Sequence, residues 1–196
     1  QVQPIGINPA EWQSTLEALQ REGHGLIGLS YVEMTDSGNA EPRQFPEIGC
    51  AVRLHRSPMA ADQSGHFLAQ GIKRFRIVRW LNDKPPYLVQ VEYPRSQGDR
   101  DDDEIKAYAM ALIKQIRELL PLNPLYSEEL KQYLANFSPR QPSQLADFSA
   151  ALTTAKGEEL QEILDTLPLR SRMEKVLTLL RKEREVAELQ GQITSQ

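Results

Sequence analysis

The side chains that could do chemistry in this chain are few, and their spacing is poor for it. Three histidines, His24, His55 and His66, and one cysteine, Cys50, are scattered along 196 residues. None has a second His or Cys at metal-ligand spacing, so no zinc-type centre is expected. A lone cysteine excludes an internal disulfide framework, and Cys50 sits in an apolar strand pattern, as expected of a buried small side chain. The acidic run Asp99–Glu104 lacks the spacing and the glycine of a calcium loop. It reads as a solvated linker whose charge complements the start of the next helix. There is no G-x-x-x-x-G-K-[ST] phosphate loop and no G-x-G-x-x-G at a helix start. No serine or lysine stands in a context that would activate it. These residues are therefore read as holding no catalytic group, no metal ligand and no cofactor.

Two kinds of binding chemistry remain. Lys73, Arg74, Arg76 and Arg79 could contact an anion or RNA, but a net charge of −4 opposes a basic field. Strand alternation would put Lys73, Phe75, Ile77 and Arg79 on one face and Ile72, Arg74, Arg76 and Val78 on the other. That is the arrangement of solvent-facing charges on a half-buried sheet. The second kind is apolar. Phe45, Pro46, Pro58 and Met59 lie in loop-like segments, and Tyr31 lies near the end of a strand pattern. Such residues either tuck under their own loops or form a patch for exposed apolar segments of other proteins. Met59 suits varied partners. These five are the candidate substrate-binding residues.

The elements that must position them are legible in part. Asn8-Pro9-Ala10-Glu11 is a helix start, with Asn8 as cap, Pro9 in the first turn and Glu11 able to reach back as in a capping box. Trp12, Leu16 and Leu19 form its apolar face, and Gly23 and Gly25 stop it. Leu26–Met34 is apolar on both faces and reads as an interior strand. Strands over Ile48–His55, His66–Trp80 and Tyr87–Tyr93 follow, with a turn at Asn82–Pro86. The polar stretch Arg95–Asp103 then leads to an amphipathic helix from Ile105 to Leu120, broken by Pro121 and Pro124. Helices are expected over Ser127–Asn136, Pro142–Ala155 and Gly157–Leu167, with Ser127, and Ser143 with Asp147, at helix starts. The last helix, Arg170–Ile193, carries one stripe of Met173, Val176, Leu177 and Leu180 and a second, rotated stripe of Val186, Leu189 and Ile193. A drifting stripe changes partner along the helix or leaves the domain body.

Hydrophobic content of 40% and charged content of 26% are ordinary for a globular protein. No run reaches the 18 or so apolar residues that cross a bilayer. The opening QVQPIGINPAEW has no basic segment followed by an apolar one. A cytoplasmic protein without membrane partners is expected, and a start on Gln1 is expected of a piece of a longer chain.

Glu47–Trp80 carries the most specific pattern: Glu47-Ile48-Gly49, then Leu68, Gly71, Ile72, Arg74, Phe75, Arg76 and Ile77. It resembles the "EIG…V…L…G…V…EG(L/I)xRxRI" signature of the Lon protease N-terminal domain. Pro4–Ile7 with the capped helix and Gly25–Val32 resembles that family's opening, and Ser14, Leu16 and Glu17 match it. Pro86–Glu92 resembles its "PYxxAxVE" strand, and Glu162–Leu177 with Leu179–Val186 resembles its closing helices. The Asn-Pro-Ala-Glu helix start replaces the family's Gly-Arg, and the family's first strand, ending in "PLRD", is expected to be truncated or to precede Gln1.

The resemblance implies an α+β fold: a β-rich, PUA-like pseudobarrel over 1–95, then a helical bundle over 96–196 ending in a long helix. It implies the substrate-recognition and assembly region of an ATP-dependent Lon protease or Lon-like paralogue. Unfolded, damaged or tagged proteins are the implied partners, with other Lon subunits in a hexamer. The motor, with its ATP and Mg, and the Ser–Lys peptidase would belong to the full-length parent. Two other readings are an RNA-binding PUA-like module and a stand-alone Lon-domain adaptor.

Overall fold

A computed structural model of the chain describes residues 2–33, 44–56, 65–95, 102–122 and 141–194. It divides into two compact units, Gln1–Pro94 and Arg95–Gln196. The first is an antiparallel sheet with one helix, and the second is helical and ends in a long helix, an α+β architecture.

The first unit runs β1 (Val2–Gly6), α1 (Pro9–Glu22), β2 (Leu26–Leu29), β3 (Ile48–Arg56), β4 (His66–Trp80) and β5 (Val89–Glu92). Sequence patterning gives no strand ahead of Asn8, and the structure adds β1. Asn8 caps α1 and Pro9 stands in its first turn as the sequence indicates: Asn8 Oδ1 accepts the Ala10 amide at 3.1 Å. Its exit turns through Gly23 at φ 72°, a conformation that favours glycine.

The sheet is ordered β1-β4-β3-β2, and β5 also pairs β4. Fifteen-residue β4 is the hub. It pairs with β3 from Phe67 to Arg76, with β1 over its first residues and with β5 over its last. The registers skip Ile72 opposite β3 and Val78 opposite β5. Each is the extra residue of a β-bulge, and both are exposed. The second bulge overturns the face assignment expected from strict alternation. After it, Arg79 is exposed and Trp80, not Arg79, joins Phe75 and Ile77 on the inner side.

Strand β2 also departs from expectation. It has four residues rather than nine, and it lies at the end of the sheet order, not in the interior. Apolar residues on both faces suit a central strand, but only β3 pairs with β2 among the described residues. The His24 ring takes the Leu26 amide, Nδ1 accepting at 3.1 Å. Cys50 is half-buried rather than fully buried, packed beside the cluster of Val52, Leu54 and Ala69.

The second unit holds α2 (Asp103–Leu119), a 3-10 turn at Leu120–Leu122, α3 (Pro142–Ala151), α4 (Gly157–Asp165) and α5 (Leu169–Thr194). The Asp102 carboxylate caps α2 by accepting the Glu104 amide at 2.8 Å. Glu159 accepts the Lys156 amide at 2.9 Å and the Lys182 ammonium at 3.1 Å. The backbone hydrogen bond foremost, then the lysine, hold its carboxyl below its ordinary pKa. The expected helix over 127–136 lies outside the described residues.

The two apolar stripes of α5 have different fates. Met173, Val176, Leu177 and Leu180 are buried with Leu112 and Ile116 of α2 and Leu145 of α3. Val186, Leu189 and Ile193 are 43%, 57% and 75% exposed, so the second stripe lies outside this core. Arg172 is 1% exposed within it. Its guanidinium donates to Ser143 Oγ at 2.7 Å and lies 3.7 Å from Asp147. Ser143 and Asp147 thus receive a buried arginine from α5, and Ser143 does not cap α3, which begins one residue earlier at Pro142.

Three stability outcomes are expected. A Cβ at Gly49 would collide with Phe75 Cζ and lie 2.7 Å from the Leu29 carbonyl and the Ser30 hydroxyl. Gly49→Ala should cost about 2 kcal/mol by overpacking, read as a lower urea midpoint for the sheet unit. At Gly6 an added Cβ meets nothing within 4 Å, so Gly6→Ala should stay within about 0.5 kcal/mol. Arg172→Ala should cost the helical unit about 3 kcal/mol through the cavity and the orphaned Ser143 contact.

Candidate functional site

A groove of about 450 Å³ opens in the sheet unit between α1 and the strands. Trp12, Thr15 and Leu16 of α1 form one wall, with Glu11 and Asn8 at the helix start. Ile27 to Ser30 of β2 and its continuation, together with Phe75 and Ile77 of β4, form the facing wall. Phe45, Trp80, Tyr87 and Val89 close one side.

Each aromatic is placed by a local cause. Trp12 departs from helical geometry (φ −116°, ψ 20°) in the first turn of α1. Trp80 faces the groove because of the bulge at Val78. Tyr87 follows two prolines, which have no N–H to hold a turn. Asn82 supplies the missing bonds: its Nδ2 donates to the Pro86 carbonyl at 2.7 Å, and its Oδ1 accepts the Leu88 amide at 2.9 Å. The rings then brace one another, Tyr87 meeting the other three edge to face and Phe45 lying tilted against Trp80. Phe45 lies 5.3 Å from Trp80 and 5.7 Å from Tyr87; Trp80 and Tyr87 are 5.5 Å apart, and Trp12 is 6.3 Å from Tyr87. Such pairs add about 0.5–1.5 kcal/mol each beyond their buried area.

The groove is apolar with a small acceptor edge. Glu11 is exposed and carries the only acidic side chain of the lining, and no Lys, Arg or His lines it among the described residues. Thr15 Oγ1 is buried without a hydrogen-bond partner among the described residues. The described residues contain no His/Cys/Asp/Glu cluster able to hold a metal ion.

Of the five residues singled out by sequence, Phe45 lines the groove. Pro46 is half-buried next to it, and Tyr31, 40% exposed, directly follows the lining residue Ser30. Pro58 and Met59 lie outside the described residues. Trp12, Trp80 and Tyr87 were not legible as site residues: one read as a helix face, one as a strand end, one as a strand start. Of the basic strand residues, Arg76 pairs with Glu92 at 2.8 Å and Lys73 lies 4.9 Å above the Tyr93 ring.

The family model of the ATP-dependent protease La (LON) substrate-binding domain matches residues 1–182. The chain belongs to this family. As a Lon substrate-binding domain it is 41% identical over 193 residues to Lon protease 2 of Hydrogenovibrio crunogenus, covering 98% of this chain and 22% of that protein. It is 34% identical over 197 residues to the Lon protease of Magnetococcus marinus, covering 98% of this chain and 24% of that one. The chain thus spans under a quarter of the length of these curated relatives. The N-terminal domain of Mycobacterium avium complex Lon protease has the same fold, with a TM-score of 0.72 at 19% identity over 92% of this chain and 90% of that one. The Lon N-terminal domain protein from Xanthomonas campestris gives 0.57 at 15% identity, over 91% and 89%. Among the described residues no helix of this Lon domain is long and apolar enough to cross a membrane.

Both tryptophans of the chain line the groove, so intrinsic fluorescence reads its occupancy. Addition of the neutral dye Nile red should quench tryptophan emission and raise dye emission. Thr15→Phe, which fills the groove, should weaken that binding about tenfold while leaving the circular dichroism spectrum unchanged.

Proposed function

We propose that this domain is the substrate-recognition and assembly region of a cytoplasmic ATP-dependent Lon-type serine protease that degrades misfolded and regulatory proteins. It binds unfolded or tagged polypeptides and passes them to an ATP- and Mg-dependent motor and a Ser–Lys peptidase elsewhere in the full-length hexamer. The observation that carries the reading is the open groove walled by Trp12, Phe45, Trp80 and Tyr87. An open apolar groove of this kind fits exposed apolar side chains of extended chains, which folded proteins keep inside. Among the sequence candidates Phe45 lines the groove and Tyr31 and Pro46 neighbour lining residues in sequence, while Pro58 and Met59, outside the described residues, remain candidates from the sequence alone. The RNA-binding and adaptor readings have no comparable support, and the engagement of Arg76 and Lys73 within the sheet weighs against the first.

The test is an NMR titration of the labelled 196-residue chain with a permanently unfolded polypeptide, using the folded form of the same polypeptide as control. Shifts should map to the groove and appear with the unfolded form alone. Trp80→Ala should weaken the interaction about tenfold, as truncation of a central aromatic anchor does. Phe45→Asp and Met59→Asp should weaken it as well, and unchanged binding in either would remove that residue from the site. Shifts with neither polypeptide would leave the domain as a spacer and assembly element.

A further inference from the structure

The α1 wall of the groove has a chemistry that an apolar receptor does not need. Glu11 and Thr15 lie on either side of Trp12, where α1 departs from helical geometry. Both line the groove, together with Trp12 between them in sequence. A threonine inside a helix commonly satisfies its hydroxyl on a carbonyl of the preceding turn. Thr15 Oγ1 does not: it is buried and has no partner among the described residues. Glu11 makes no ion pair with any described residue, and the lining holds no cationic side chain to neutralise it. The wall therefore offers a carboxylate beside the aromatic rings of the lining, with the unpartnered Thr15 hydroxyl buried in the same wall. What is missing is a cation with several N–H donors and a flat face.

We propose that this wall is a guanidinium site, which takes an arginine side chain flanked by apolar residues in an extended polypeptide. The inference rests on the reading of the groove as a polypeptide receptor and adds a charge preference to it. Arginine fits on three counts. Its planar group stacks on aromatic faces, its forked donors reach both oxygens of one carboxylate at once, and it is weakly hydrated for a cation. Lysine offers a point charge with no plane to stack. An acidic residue in its place would meet Glu11 and find no donor among the described lining side chains that bears a charge.

The test compares three peptides that share one aromatic-rich apolar sequence and differ at one central residue: arginine, its neutral isostere citrulline, or glutamate. Each is titrated into the intact 196-residue chain and read by tryptophan emission and by NMR shifts. Arginine should bind about three- to tenfold tighter than citrulline, in keeping with a cation–π contact and a solvent-exposed ion pair together, and glutamate weakest. Glu11→Gln, a conservative change at an exposed position, should close most of the arginine–citrulline gap by weakening the arginine peptide more than the citrulline peptide. Equal binding of arginine and citrulline, or a gap that Glu11→Gln leaves intact, would overturn the guanidinium site while the apolar receptor stands. Failure of all three peptides to perturb the groove would overturn both.

Discussion

The contact on which the sheet unit depends is the ring of Phe75 against two glycines. Phe75 is 4% exposed and lies opposite Gly49 in the β3–β4 register. A Cβ on Gly28 would come within 3.0 Å of the same ring, and one on Gly49 would overlap it. Two neighbouring strands thus give up their side chains at one spot so that one aromatic can fill it. The exchange is favourable because a buried phenyl ring removes far more apolar surface from water than two methyl groups could. Its cost is backbone freedom at two glycines in strands, about 0.5–1 kcal/mol each. The bulges at Ile72 and Val78 bracket Phe75 by three residues on either side. They let β4 change its pairing phase around that fixed point, and so bring Trp80 to the same groove as Phe75.

The groove persists as an opening because its walls are held from outside it. Tyr87 is fixed through the Asn82 bonds, Trp80 through the β4–β5 ladder, and Trp12 through the capped first turn of α1. Tyr87 then meets Phe45 and Trp80 edge to face, Phe45 lies tilted against Trp80, and this packing leaves the rings little freedom to collapse inward. In the helical unit the same economy takes another form. There a buried guanidinium ties α5 to α3, and Arg184 ties α5 to α2 through Glu118 at 2.6 Å. Both are held by charge-assisted bonds, which direct geometry more than they stabilise.

What was legible in the sequence follows from what is local. The Asn8 cap, the exit at Gly23, the apolar face of α2 and the buried stripe of α5 are set within one or two helical turns, and pattern alone finds them. The ends of β4 were also legible, since turn-forming residues flank a long strand pattern. Strand β1, the edge position of β2 and the phase change at Val78 were not. Each is decided by which strand pairs with which, and period-two counting has no access to pairing. The candidate site divides along the same line. Phe45 is an aromatic in a loop-like segment and announces itself by context. Trp12, Trp80 and Tyr87 each have an ordinary explanation in their own element, and only the convergence of α1, β4 and the turn before β5 brings them together.

The size of the groove limits how it can recognise anything. A single apolar side chain entering it would remove on the order of 100 Å² from water, worth roughly 2.5 kcal/mol at the usual coefficient. Association and ordering consume at least about 4 kcal/mol. One side chain is therefore too little for a lasting complex, whatever its identity. Binding must draw on further residues along an extended chain, and only a chain whose apolar side chains are not already buried can present several in succession. A receptor built this way discriminates by the state of its partner more than by its sequence. The exposed carboxylate of Glu11 is where sequence can re-enter, because a charged acceptor distinguishes one side chain from another in a way that an apolar wall does not.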